Sequence, residues 1–175
     1  PIIDRAGDQP NIPIRSMFNG EKRGRDPEGA GGVVANRRLF TDRLEAAIAD
    51  RRPVTVIFLD VDDLKEVNDR FGHTVGDGVL LSLGQRLAGC VRREDTVARF
   101  GGDEFAILIA GDAAPAAAVT ARISAALRTP FVVATSSITV NVSMGVVVAD
   151  FDESLLSADE LMRRADHSMH QGKRR

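Results

Sequence analysis

The 175-residue chain has no Trp, no Tyr and a single Cys, Cys90. One thiol excludes an internal disulfide and a cysteine-rich metal site, and points to a reducing compartment, the cytosol. No apolar run approaches the ~18 residues needed to span a bilayer. The N-terminus has no charged stretch followed by an apolar core, so no secretory leader is read there. An excess of one charge is missing too: 23 Lys and Arg face 25 Asp and Glu, a formal net of −2. That balance gives no electrostatic footprint for nucleic acid or a membrane surface, and neither is expected as a partner. What is present, 43% apolar and 27% charged residues, is the composition of a globular protein. A domain of ~150 residues buries enough surface to stand without staples. The chain opens at Pro1 and closes on Lys173-Arg174-Arg175, as expected of a piece cut from something longer.

Residues 1–34 hold Pro1, Pro10, Pro13, Pro27 and the run Gly29-Ala30-Gly31-Gly32 without sustained periodicity, which reads as a linker or loosely packed arm. From residue 35 the pattern is that of one domain reaching residue 175. Leu39, Phe40, Leu44 and Ile48 recur at helical spacing up to Arg51-Arg52-Pro53, and 54–59 is a nearly continuous apolar run, as in a central buried strand. Leu64, Val67 and Phe71 line a short helix stopped by Gly72, and a longer helix over 76–92 carries Val79, Leu80, Leu83, Leu87 and Val91 on its inner stripe. Strands are expected at 96–100 and 104–109, joined by Gly101-Gly102, and at 131–134 and 138–148. Helices are expected at 113–128 and 158–170. That order predicts an α+β fold, a ferredoxin-like palm with a mostly antiparallel central sheet flanked by helices.

Several carboxylates are not needed by such a fold. Asp62 and Asp63 can cap the helix that follows, and Asp63 with Glu66 has capping-box spacing. Asp60 lies inside Phe58-Leu59-Asp60-Val61, where an unpaired carboxylate is costly, so it needs a cation from a side chain or a metal. Asp103-Glu104 directly follow Gly101-Gly102, whose backbone a ligand can approach closely. A plain turn with surface acids fits that spacing as well. An acid ending a central strand and facing an acid on a neighbouring hairpin is also an arrangement that holds two Mg²⁺ ions on a nucleoside triphosphate.

Two blocks carry a resemblance. Arg99-Phe100-Gly101-Gly102-Asp103-Glu104-Phe105 contains the signature of the GGDEF family, the diguanylate cyclases, and the stretch from Asp60 to Asp77, DVDDLKEVNDRFGHTVGD, resembles that family's second block almost without interruption. The resemblance implies a palm-like domain in bacterial second-messenger signalling that condenses two GTP into cyclic di-GMP and releases two pyrophosphates. Each domain would hold one GTP, so a homodimer is required. It implies Asp60, Asp103, Glu104 and the Val61 carbonyl as ligands of two Mg²⁺ ions (Mn²⁺ able to substitute), with Asp103 assisting deprotonation of the attacking 3′-hydroxyl. Gly101 and Gly102 would lie against the nucleotide, Asn68 and Asp77 would read guanine, and Lys65 and Lys173 would reach phosphates. On the residues alone, Asn68 could equally be an exposed helix residue, Asp77 a helix cap and Lys65 a solvated lysine.

Arg92-Arg93-Glu94-Asp95 is an RxxD pattern at the family's inhibitory product site, with Arg122 as a second arginine. A cationic helix end with a surface ion pair is the plainer account. Two departures stand out. The family's Asp-x-Leu-Thr-Gly-Leu opening is absent before Asn36-Arg37-Arg38, and His170 and Gly172 replace the usual Tyr and Ala. The arginine expected four residues after Lys173 lies beyond Arg175. These departures keep a second reading open, a catalytically silent module that binds GTP or cyclic di-GMP to regulate an adjacent domain. An upstream sensory or downstream phosphodiesterase domain is compatible with either.

Overall fold

The computed structural model describes residues 34–110, 113–149 and 157–172. Most of the expected arm, residues 1–33, lies outside them, and Lys173 does too. Seven strands and five helices are defined: β1 (Ala35–Asn36), α1 (Arg37–Ala49), β2 (Val54–Val61), α2 (Leu64–Phe71), α3 (His73–Ala88), β3 (Thr96–Gly101), β4 (Glu104–Ala110), α4 (Ala113–Leu127), β5 (Phe131–Val133), β6 (Ser136–Ile138), β7 (Val142–Ala149) and α5 (Ala158–Gly172). Five strands form one mixed sheet in the order β1-β3-β4-β2-β7, and β5-β6 is a separate hairpin. Only β1 with β3 is parallel; the other pairs are antiparallel.

β2 sits between β4 and β7, and period-two alternation divides its apolar residues between two cores. Ile57, Leu59 and Val61 pack with Val67, Leu83, Leu87, Ile107 and Ile123 on the face covered by α2, α3 and α4. Val54, Val56 and Phe58 pack with Phe40, Leu44, Leu161 and Met169 on the face covered by α1 and α5. With both faces covered, a continuous apolar run is what β2 requires. α5 approaches β7 so closely that a Cβ on Gly145 would overlap the carbonyl of Ala165 and the backbone of Met169.

The structure revises several expectations. Ala35 and Asn36 belong to the sheet, and the Asn36 side chain caps α1 by accepting from Leu39 N–H at 2.9 Å. The expected strand over 138–148 is two strands in different sheets, broken at 139–141. The long helix starts at His73 and ends at Ala88, so Val91 packs on the core from a loop. Phe71, grouped with Leu64 and Val67 along one face of the short helix, is 37% exposed, with the Arg70 guanidinium stacked over its ring at 5.1 Å. No capping box forms at α2. Asp63 is held at φ 56°, its side chain makes no cap bond, and its carbonyl accepts from Glu66 N–H instead.

Candidate active site

The acids gather where β2 ends and the β3–β4 hairpin turns. In the β2–β4 register Asp60 lies directly opposite Glu104, and on its other edge Asp60 faces Ser143 of β7. Alternation from Phe58 and Ala106 puts both carboxylates on the α1/α5 face. Val61 N–H donates to the Asp103 carbonyl at 3.1 Å, locking the turn onto the end of β2. Asp62 is turned aside: Ser143 Oγ donates to its carboxylate at 2.8 and 3.1 Å, and Asp62 N–H bonds the Asn141 carbonyl. Burial pushes the Glu104 carboxyl up from its ordinary value. The negative charges of Asp60, Asp103 and Asp166 push it further, and Arg37 partly offsets them. Like charges directly opposite on a sheet destabilise it, so the fold concentrates negative charge here at a cost.

The turn itself is pinned by Arg99, whose Nε and guanidinium NH₂ both donate to the Gly102 carbonyl, at 3.1 and 2.6 Å. Between Arg99 and Gly101 the β3–β4 register shifts, and Phe100 packs edge-on to Phe40 and Phe58 at ring distances of 5.2 and 5.5 Å. Among the described residues the only glycine with positive φ is Gly72, so neither Gly101 nor Gly102 is demanded by a left-handed turn. A Cβ on Gly102 would meet nothing within 4 Å, and one on Gly101 only the Glu104 carboxylate at 3.8 Å. The fold therefore gives no reason for glycine at 102.

Asn68 and Asp77 lie on the opposite face of the sheet, on a helical corner. Gly72 ends α2 and caps α3 at φ 86°, and its N–H bonds the Asn68 carbonyl at 2.8 Å. Asp77 is exposed within α3 and does not cap it. Asn68 is half-buried against α3, and Lys65 is exposed on α2. Burial pushes the half-buried Arg99 guanidinium down from its ordinary value, and the negative charges of Asp77 and Asp103 offset part of that. Arg99 thus sits between the helical corner and the acidic turn. The structure brings Asp60, Val61, Asp103 and Glu104 together at one sheet end; Asp77 is linked to that end through Arg99, Asn68 packs against Gly76 next to Asp77, and Lys65 is exposed on the same helix as Asn68. Arg99 and Arg37 were not singled out by the spacing of acids, although each adjoins a motif.

The donor set fits a hard divalent cation: carboxylates and a carbonyl, with no sulfur or imidazole. Among the described residues no three His, Cys, Asp or Glu side chains form a cage of their own. Mg²⁺ sites of this kind use one or two carboxylates and complete the shell with substrate phosphates and water.

The RxxD segment has a different construction. Asp95 is buried at 8% exposure, and its two oxygens accept from the backbone N–H groups of Arg92 (2.8 Å) and Ala110 (3.3 Å). The Arg92 side chain is exposed and lies 3.9 Å from Glu94. Arg122, on α4, donates Nε–H to the Cys90 carbonyl at 2.9 Å. Cys90 is buried, which pushes its thiol up against the opposing pull of Arg122 and Arg86.

A family profile for "Diguanylate cyclase, GGDEF domain" matches residues 32–175. The chain belongs to the GGDEF family. It is 38% identical over 147 residues to the diguanylate cyclase TpbB of Pseudomonas aeruginosa, covering 81% of this chain and 34% of TpbB. It is 37% identical over 145 residues to the bifunctional diguanylate cyclase/cyclic di-GMP phosphodiesterase MucR of the same organism, covering 80% of this chain and 21% of MucR. The GGDEF chain thus spans about a third or less of these relatives. The isolated GGDEF domain of TpbB has the same fold at TM-score 0.74 and 35% identity, covering 82% of this chain and 86% of that one. The GGDEF domain of DgcB from Caulobacter crescentus, solved in complex with c-di-GMP, aligns at TM-score 0.73 and 26% identity over 87% of this chain and 94% of that one. Use of a divalent metal is general in this family. Among the described residues no helix is long and apolar enough to cross a membrane.

Proposed function

We propose that this GGDEF domain is a diguanylate cyclase, condensing two GTP into cyclic di-GMP with release of two pyrophosphates. The observation that carries the reading is the glycine at 102. Neither backbone conformation nor packing requires it, and it sits beside Asp103 and the opposed pair Asp60 and Glu104. Asp60, Asp103, Glu104 and the Val61 carbonyl would hold two Mg²⁺ ions. Bound there, the ions supply charge neutralisation on the triphosphate and polarisation of the attacking hydroxyl. Asn68 and Asp77 grip guanine, since an amide both donates and accepts and a carboxylate accepts from the N1 and N2 hydrogens. Lys65, exposed on the helix of Asn68, and Lys173 are both assigned to the phosphates from the sequence.

Asp103 takes the proton of the 3′-hydroxyl, whose oxygen attacks the α-phosphorus of the second GTP and expels pyrophosphate. The same exchange run the other way closes the ring. One domain holds one GTP, so both reactants meet only in a two-fold dimer. Arg92, Asp95 and Arg122 form the inhibitory product site, where the exposed Arg92 would exchange its loose pairing with Glu94 for a bidentate one with phosphate or a guanine edge.

The test is product identification by mass after incubation with GTP and Mg²⁺ across a range of protein concentrations. Cyclic di-GMP is expected, at a rate per chain that rises with concentration, and Asp103→Asn should abolish it while leaving the fold intact, because a neutral amide is a poor Mg²⁺ ligand. GTP binding without product, from this chain and from one extended past Arg175, would refute the cyclase and identify the silent nucleotide-binding module.

A further inference from the structure

Gly76 is buried in the second turn of α3 without a positive φ. A glycine inside a helix is a poor choice against alanine unless its missing methyl is used. Here it is used by Asn68: a Cβ on Gly76 would overlap the Asn68 carboxamide oxygen and come within 3.0 Å of its Cγ. The Asn68 amide lies in a notch on α3 immediately before Asp77 in the chain. Its other tether is the backbone, where the Asn68 carbonyl accepts from Gly72 N–H at the corner between the helices.

We propose that Gly76 is a positioning residue for base recognition, the notch that seats the Asn68 carboxamide next to Asp77 so that the two present one hydrogen-bonding edge to guanine. This rests on the assignment of Asn68 and Asp77 to the base made above. Two χ angles orient the Asn68 amide, so a methyl at 76 displaces the end of a side chain and leaves the backbone where it is. Gly76→Ala therefore moves the amide and spares the fold. Its effect falls on discrimination between bases, whereas loosened phosphate contacts would weaken all nucleotides alike.

The measurement is the affinity of the full chain, with Mg²⁺, for 3′-deoxy-GTP and 3′-deoxy-ATP, which cannot condense. Asn68→Ala and Gly76→Ala are each expected to weaken the guanine nucleotide about tenfold and to lower its preference over the adenine one by a similar factor, the scale of one lost hydrogen bond. In the Asn68→Ala background, Gly76→Ala should add less than about twofold, because the group it displaces is gone. Gly76→Ala binding like the unmodified chain while Asn68→Ala is impaired would overturn the notch. So would an equal loss in both backgrounds, which places the effect in the fold. An Asn68→Ala chain with unchanged affinity would overturn the base assignment itself, and the notch with it. Should Gly76→Ala melt below the assay temperature, Asn68→Gln gives the answer with Gly76 intact. Its amide overshoots the notch by one methylene and should bind as Asn68→Ala does; binding like the unmodified chain overturns the proposal.

Discussion

Glu104→Gln should stabilise the metal-free protein and weaken its response to metal and nucleotide. Glu104 is opposite Asp60 in the sheet, and burial with the charges of Asp60, Asp103 and Asp166 raises its carboxyl above the ordinary value of 4.5. The native state then favours the protonated form more than the unfolded chain does. Its stability is full below that ordinary value and falls as pH rises through it to the raised one. Gln keeps the shape and removes the charge. Relief of one like-charge cross-strand pair is worth about 0.2–1 kcal/mol, or roughly 1–4 °C in Tm for a domain of this size. With Mg²⁺ and 3′-deoxy-GTP at about a hundred times Kd, the unmodified protein should gain about 2.7 kcal/mol, and the variant less. Melting curves at pH 7 should therefore cross: the variant higher in EDTA, the unmodified chain higher with ligand. Across a metal-free pH series the variant should also lose the decline in Tm just above pH 4.5. A variant less stable than the parent in EDTA would refute the account of the acids as strained in the absence of a cation.

Four further substitutions read the geometry elsewhere in the molecule. Asp95→Ala strands two backbone amides, those of Arg92 and Ala110, at about 1–3 kcal/mol each. Arg92→Ala, on an exposed side chain, should change stability by less than about 0.5 kcal/mol yet relieve product inhibition; melts and inhibition curves on both variants separate the roles. Gly145→Ala drives a methyl into the Ala165 and Met169 backbone, and overpacking that cannot be relieved by a rotamer should cost about 1–3 kcal/mol or more in a denaturant titration. Gly102→Ala, with nothing within 4 Å of the new methyl, should leave Tm unchanged and impair GTP binding by calorimetry; unimpaired binding would remove the reason given for that glycine.

Much of this was legible in the sequence because the pattern and the packing agreed. The run at β2 is apolar from Val54 to Leu59 since two cores use it, and Asp60 interrupts it one residue before the strand ends, still paired on both edges. Legibility failed where the cause lay in another segment. β1 is two residues long and exists only by pairing with β3. Ile138 and Val140 are both buried in one core, yet only the first is in a strand, so apolar content alone could not place the break before β7. Gly72 reads as a stop and is also the cap of the next helix, which hid the start of α3. At the site, the acids and Asn68 were visible as residue types at a spacing. The service of Asp95 to two backbone amides and the seat of Asn68 on Gly76 are contacts that no spacing records.

The position of β2 has a consequence for how the site meets its ligand. Every residue from Val54 to Leu59 is buried, and the strand is bonded along both edges to β4 and β7. Its amides are released only when the sheet comes apart, so they should be among the slowest in the molecule to exchange with deuterium, opening at the global unfolding free energy. Asp60 rides on the end of that strand. Its place is settled before any nucleotide arrives, and accommodation of the ligand is left to the side chains and turns around it.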